Sequence, residues 1–351
     1  MPMFALSVPG DLEKLGERWR ALESDADASF FQSWTWLGCE VAARFPNPVL
    51  IEANRAGETI GLALCNRVPD WRGDALWLGE SGSQAWDSLF VEHNGPLVAH
   101  RAGADVVRGL LETGRGRLGR RLVLSGVRGA VAAAARSIPG TLELQPDRPS
   151  PYVDFNRLRA AGGDHAASLS PNTRQQIRRS LRRYQAHGSV RMRRAGDVPE
   201  ALAFLDDLAV LHQDTWRRRN RPGAFALPEF HRFHRALLAR AIPRGEAELL
   251  RFSAGSETIG YLYNFLWRGC VLAYQSGFAY PDADPHRKPG LTCHYLAIEA
   301  HMGEGMNGYD FLAGAARYKS SFTNAENRLS WLELGPVWRP SSVASWFRRF
   351  C

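Results

Sequence analysis

The chain has 351 residues, a length that suggests two domains, and its 45% hydrophobic content supplies a core for both, which excludes a disordered chain. No run approaches the roughly 18 apolar residues of a membrane span, and the start MPMFALSVPGDLEKL lacks a basic segment followed by an apolar one, so the expectation is a cytoplasmic protein. The net charge of +8 lies wholly in the second half: residues 1–150 hold 16 basic and 18 acidic side chains.

In chain order, Asp11 to Leu22 reads as a short amphipathic helix, SFFQSWTWLGCEVAARF as an aromatic helix, and VLIEANRAGETIGLALCNRV as a hairpin turning at Arg55-Ala56-Gly57. The tryptophans Trp34, Trp36, Trp71, Trp77 and Trp86 are read chiefly as core, with a substrate pocket as the alternative. The proline-rich stretch LQPDRPSPYVDF is the expected join, giving a first unit over 1–150, a second over 151–338 and a basic aromatic tail over 339–351. That tail is too short for stable membrane anchoring.

After the join, PNTRQQIRRSLRRYQAHGSVRMRR carries eight arginines and no acid. Ser170 is an N-cap with Pro171 at the first helical position, and Ile177, Leu181 and Tyr184 form an apolar stripe opposite the arginines. Three readings stay open for that face: a solvated surface, a clamp on the phosphates of a cofactor or nucleotide-linked substrate, or a landing strip for tRNA. Only Tyr184 interleaves it, so sequence-specific RNA recognition is unsupported, and no DNA partner is expected.

VPEALAFLDDLAVLHQDTWRRRNRPG forms the next helix, ending at Arg221-Pro222-Gly223, and PEFHRFHRALLARAI another. His231 and His234 stand three apart without a third ligand nearby, so no metal is expected. The five cysteines, Cys39, Cys65, Cys270, Cys293 and Cys351, show no paired spacing, which points to neither zinc nor disulfides. Cys293, near a helix start, is either an activated thiolate or, as preferred here, an inert buried thiol.

The stretch Glu257 to Gly335 organises the second half. It runs through a hairpin at Arg268-Gly269, the loop YPDADPHRKPG, a helix with Leu291, Tyr295, Ile298 and Met302 at helical spacing, the strand YDFLAG, and AARYKSSF. A strand that feeds a helix N-terminus through Arg287, Lys288 and Gly290 makes an anion site: the first turn, with Leu291 and Thr292, has unpaired N–H groups and the positive dipole end. An ordinary strand-to-helix loop is the alternative. Only three of the 44 basic residues are lysines, Lys14, Lys288 and Lys319, and two of them fall in this stretch. Glu257-Thr258-Ile259-Gly260 also repeats Glu58-Thr59-Ile60-Gly61 of the first hairpin, which suggests duplication of one fold.

Together, Trp216 in HQDTW, Gly260 in TIGYLY, the Pro289-Gly290 turn, Tyr309-Asp310-Phe311 with Gly314, and Tyr318-Lys319 resemble the GNAT superfamily of N-acyltransferases. The resemblance is closest to its CelD-like branch, which is similar in turn to the Fem-type aminoacyltransferases of peptidoglycan synthesis. It covers roughly Ser168 to Leu334 and implies an α/β (α+β) fold of two tandem GNAT-like mixed-sheet units, the first degenerate and helping to form the acceptor cleft.

The resemblance also implies roles. Lys319 is expected to stabilise developing charge and Tyr318 to serve as acid, while Asp310 orients Lys319 or takes a proton through water. His212 would be the base, with Trp216 and Arg217 bordering the acceptor. Main-chain groups of Tyr274, Gln275 and Ser276 would pair with the donor's pantetheine arm, and Arg287, Lys288, Gly290, Leu291 and Thr292 would hold its phosphates. Acyl transfer needs such donors, base and acid. The leading expectation is transfer from acyl-CoA or an acyl-carrier-protein thioester to an amine of a small molecule, sugar or peptide. Aminoacyl-tRNA-dependent transfer is the alternative, and a catalytically degenerate scaffold in polysaccharide or envelope assembly a further one.

Overall fold

The computed structural model describes the chain except residues 71–72, 84–86, 88–90, 117–119, 282, 315–316 and 336–351. The expected tail, Trp71 and Trp86 therefore lie outside the described residues. Two compact units emerge among the described residues, one of Met1–Arg148 with residues 328–335, the other of Pro149–Asn327. Residues from Arg328, expected in the second unit, belong to the first because Leu329 to Leu334 pair with its strand Arg121–Arg128.

The first unit contains β1 (Met3–Ser7), α1 (Leu12–Ser24), α2 (Trp34–Arg44), β2 (Pro48–Arg55), β3 (Glu58–Val68), β4 (Ala75–Leu78), β5 (Leu97–Val98), α3 (Ala104–Arg115), β6 (Arg121–Arg128) and α4 (Gly129–Arg136). Asp11 caps α1 through the N–H groups of Glu13 and Lys14. The expected aromatic helix is interrupted: Phe30–Gln32 is a 3-10 turn, and Ser33 begins α2 by accepting from the Trp36 N–H.

The second unit follows with β7 (Thr141–Asp154), which crosses the boundary, α5 (Phe155–Ala160), α6 (His165–Ser168), α7 (Pro171–Gln185), β8 (Val190–Arg194), α8 (Val198–Arg218), α9 (Pro228–Ala241), β9 (Ala247–Ala254), β10 (Glu257–Trp267), β11 (Cys270–Phe278), α10 (Pro289–Gly303), β12 (Gly308–Asp310), α11 (Arg317–Ser320) and β13 (Ala325–Leu334). Helices α7 and α10 bury Ile177, Tyr184, Cys293, Ala297 and Ile298 against Leu250, Phe252, Leu262 and Val271 of the sheet. Helices α8 and α9 pack aromatically, with Phe204 against Tyr261 and His234 against Tyr263 and Tyr274. The buried stripe of α10 is Cys293, His294, Ala297, Ile298 and His301 rather than the expected Leu291, Tyr295, Ile298 and Met302. The stripe shifts because the histidines bury their rings by hydrogen bonding, His294 to Tyr309 and His301 to Glu248.

The strands of the two units share one topology. In the first, β1, β2, β3 and β4 are successively antiparallel, β4 and β6 are parallel, and β6 meets β13 antiparallel. In the second, β8, β9, β10 and β11 are antiparallel, β11 and β12 are parallel, and β12 meets β7 antiparallel. The repeated Glu-Thr-Ile-Gly tetrapeptide takes the same place in both. Gly61 opposes Ala53 and Thr59 opposes Asn54, skipping Ile60, just as Gly260 opposes Phe252 and Thr258 opposes Ser253, skipping Ile259. One bulge at one sequence position in both hairpins is the structural mark of the tandem fold.

The units differ beside the parallel pair. Strand β4 stops at Leu78, and the segment ending in Asn94 covers β6 instead, with the Asn94 N–H donating to the Gly126 carbonyl at 3.0 Å and its side-chain amide capping the Leu78 carbonyl at 2.8 Å. The crossover helix α3 carries Asp105 in its first turn, which disfavours an anion there. Nearby lie the buried carboxylates of Glu40, Glu80 and Asp87 with the Arg44 guanidinium, and burial pushes Glu40 up to about 8.

Candidate functional site

Strand β11 creates the site by outrunning its neighbour. Its ladder to β12 covers Cys270, Val271 and Leu272 only, whereas its ladder to β10 continues to Phe278. Among the described residues no strand pairs with β11 beyond Leu272 on that side, a feature that invites an extended ligand. Beyond Asp310 the chain follows β7 instead: the Phe311 N–H donates to the Pro151 carbonyl at 3.1 Å and the Gly314 N–H to the Pro149 carbonyl at 3.2 Å.

Asp310 and Lys319 hold that divergence. One Asp310 oxygen accepts from the Leu312 N–H at 2.7 Å and the Ser150 hydroxyl at 3.0 Å. Leu312 takes a left-handed φ of 59°, which ends the expected strand YDFLAG after Asp310. The Lys319 ammonium donates to the carbonyls of Phe311, Leu312 and Ala313 at 2.8, 3.1 and 2.9 Å. An ammonium has three protons, and three carbonyls take them. Lys319 therefore clamps the loop after β12, and Asp310 ties the same loop, at Leu312, to Ser150 of β7.

Helix α8 crosses β11 closely, since a Cβ at Gly277 would lie 2.3 Å from the Leu208 carbonyl oxygen. That approach sets His212 against the strand. Its Nδ1 donates to the Ser276 carbonyl at 3.0 Å, which fixes the tautomer and leaves Nε2 as a buried lone pair without a hydrogen-bond partner. Burial, with the Arg219 charge as a smaller contributor, lowers its pKa to about 4, so the ring is neutral at pH 7. Trp216, one turn on, lies tilted at 43° to the imidazole with ring centres 5.9 Å apart, and Phe225 meets the ring edge-on at 5.2 Å.

At the other end of this edge, α10 starts at Pro289 with Lys288 at its N-cap and no side-chain cap. Thr292 bonds back to the Lys288 carbonyl, leaving the Gly290 and Leu291 N–H groups as the outward donors of the first turn. A Cβ at Gly290 would sit 3.1 Å from the Phe278 ring. Thr292 itself is fully buried, bonding Ser180 at 2.8 Å, and the Ser180 hydroxyl also accepts from the Lys288 N–H. Arg287 is committed elsewhere: it pairs with Glu257 at 2.6 Å and lies 5.6 Å over the Tyr184 ring. Among the expected donor-arm residues, the Tyr274 side chain is in the aromatic core and the Ser276 carbonyl is taken by His212, while Gln275 is half-buried.

Three residues outside the sequence reading, His294, Tyr280 and Arg219, adjoin these groups. His294 is fully buried with Nδ1 on the Tyr309 hydroxyl at 2.9 Å and Nε2 unpartnered, and burial plus the Lys319 charge bring it down to about 3. Its ring stacks on Tyr318 at 5.6 Å and 22°. Tyr318 is 39% exposed, yet desolvation of its phenol pushes it up to about 12, with Tyr280 adding to the rise and Arg219 opposing it. Tyr280 is raised by burial too, again opposed by Arg219. Arg219, just past the end of α8, lies with its Cζ 5.6 Å over Trp216, and it is exposed like the expected Arg217. Helical spacing puts 212 and 216 on one face of α8, but the contact of Arg219 with Trp216 depends on where the helix ends.

Residues 171–320 match the family model described as an acetyltransferase (GNAT) domain. Residues 171–320 form a GNAT-superfamily domain. Solved structures resemble the whole chain: FemX has a TM-score of 0.62 at 9% identity, over 96% of this chain and 98% of that one. The C-terminal domain of a putative lysylphosphatidylglycerol synthetase from Agrobacterium fabrum and L-PGS from Bacillus licheniformis each reach 0.54 at 12% identity over 92% of both chains. At such identities the likeness is one of fold. No curated protein matches the chain in sequence.

In the second unit, a cavity of about 450 Å³ lies beyond the clamped loop, lined by Pro149, Pro151 and Gly314 with residues of the 320–326 segment. It contains none of the expected site residues. His231 pairs with Asp206 at 2.8 Å and His234 bonds Tyr263, and no metal-holding group of three or more side chains occurs among the described residues. Cys293 is wholly buried, which raises its thiol well above its ordinary value and keeps it un-ionised. No described helix is long and apolar enough to cross a membrane.

Proposed function

We propose that the GNAT domain transfers an acyl group from a coenzyme A or acyl-carrier-protein thioester to the amine of a small molecule, sugar or peptide. The observation that carries this reading is the edge of β11 from Ala273 to Phe278, with which no described strand pairs, with the uncapped start of α10 at one end and the free Nε2 of His212 beside it. An extended arm fits the edge, and the Gly290 and Leu291 N–H groups with the dipole of α10 suit its phosphates. Lys288 adds charge there, and Arg287 contributes by exchanging Glu257 for phosphate.

In this reading His212 accepts the amine proton at Nε2 as nitrogen bonds to the acyl carbon and the carbon–sulfur bond breaks. The neutral ring is ready throughout the physiological range. Tyr318, protonated at any such pH, donates a hydrogen bond to the departing sulfur, which then takes a proton from solvent. Lys319 and Asp310 act as positioning residues that keep the loop after β12 away from β11. Membership of the CelD-like branch and a cytoplasmic location are part of the same proposal.

The arginine face of α7 favours a second reading. Arg178, Arg179, Arg182 and Arg183 lie on the helix whose Ser180 bonds the start of α10, so a polyanionic donor carrier such as tRNA would find its charges next to the phosphate turn. The test is incubation with acyl-CoA thioesters or charged tRNA and an amine panel, following product mass and thiol release. Thioester turnover that survives RNase supports the first reading; turnover with charged tRNA alone moves the assignment to the second. Silence from both donor classes overturns enzymatic acyl transfer and leaves the scaffold.

A further inference from the structure

The search for an acidic-group subsite begins with Arg219. At this end of α8, Arg218 is neutralised by Asp214 at 2.8 Å. Arg219 has no carboxylate partner among the described residues and instead lies over Trp216. That platform fixes a planar guanidinium while leaving its N–H fork open.

The guanidinium is also central. Its charge acts on His212 of α8, on Tyr280 just after β11 and on Tyr318 of α11, three groups from three separate segments. Both the His212 ring and the Arg219 Cζ lie within 6 Å of the Trp216 ring centre, at 5.9 and 5.6 Å. The base and the guanidinium thus adjoin one indole. The groups offered beside Arg219 are phenol hydroxyls that stay protonated, so the corner presents donors and positive charge. A set of that kind fits a carboxylate or phosphate and leaves a neutral or cationic group unserved.

We propose that Arg219, seated on Trp216 and assisted by Tyr280, binds an acidic group on the acceptor, so that the acceptor class is an amine carrying its own carboxylate or phosphate. The inference rests on the acyl-transfer reading above for the placement of the amine at His212. The acidic group turns one end of the acceptor to Arg219 and delivers the amine to Nε2. Simple alkylamines lack that handle and bind poorly.

Calorimetric titration of the full chain, with coenzyme A present, compares amines that differ in the acid: β-alanine with propylamine, lysine with cadaverine, glucosamine 6-phosphate with glucosamine. At least one acidic member is expected to bind ten-fold or more tightly than its neutral counterpart. Arg219→Gln should erase that preference, Tyr280→Phe should reduce it several-fold, and Arg240→Gln, an exposed cation on α9, should leave it intact. A preference that survives Arg219→Gln, equal binding by both members of every pair, or silence from all acidic members overturns the inference. Acid-selective binding without acyl turnover retains the subsite and removes the transfer reading. Turnover of neutral amines unaffected by Arg219→Gln does the reverse.

Discussion

Replacing Lys319 with methionine separates a clamp from a catalytic cation. The ammonium holds three carbonyls at 2.8 to 3.1 Å, and hydrogen bonds to a charged group contribute about 1.5 kcal/mol each at the lower end. Three of them approach about 4 to 5 kcal/mol, and because Lys319 is half-buried, solvation of its ammonium in the unfolded chain brings the net loss to about 3 kcal/mol. The side-chain volume of methionine is retained, so the loss is electrostatic rather than a cavity. Chemical denaturation of wild type and Lys319→Met, followed by hydrogen exchange of the backbone, should show this destabilisation together with new exchange at residues 310–314. Lys319→Arg should recover only part, since a planar fork cannot address three carbonyls around one nitrogen. Unchanged stability and exchange, with activity abolished, would refute the clamp and return Lys319 to charge stabilisation.

Further outcomes follow from the histidines and from the first unit. His212→Gln should lower the rate of acyl transfer by roughly 10²–10⁴-fold while donor affinity changes little, which single-turnover kinetics with separate binding measurements will check. His212 is depressed from 6.5 to about 4 in the folded chain, so the unfolded state binds the extra proton first. Its contribution is fully present above pH 6.5 and is lost as pH falls through about 4, amounting to roughly 3 kcal/mol. His294, brought down to about 3, adds in the same direction, and acid denaturation of His294→Phe should show a shallower slope between pH 6.5 and 4. Glu40 has the opposite sign: raised from 4.5 to about 8, it stabilises fully below pH 4.5, and that stability is lost as pH rises through about 8. Glu40→Gln should therefore flatten the alkaline side of the stability profile, read from denaturant midpoints between pH 6 and 9.

Much of the fold could be read from local signals. Ser170 with Pro171 did cap α7 at the expected point, Arg268-Gly269 did close the hairpin of β10 and β11, and four shared residues disclosed the tandem topology because the bulge they form needs the same register. Long-range partners were not legible. Nothing near Lys319 in sequence says that three carbonyls turn toward it, since that depends on the left-handed Leu312 and on the path beside β7. Arg287 looked free because its partner Glu257 stands thirty residues away across the sheet edge. Arg219 went unread because its contact with Trp216 depends on where the helix ends. The burial of His294 was hidden because a polar residue on a helix reads as surface until its hydrogen-bond partner, Tyr309, is placed.

The most direct test of the account is hydrogen-exchange mass spectrometry with and without acyl-CoA. Protection confined to 273–278 of β11 and 289–292 of α10, with none at β4 and α3 of the first unit, is the result expected if that edge of β11 holds the donor. Absence of protection there, or protection at β4 and α3 instead, would contradict it.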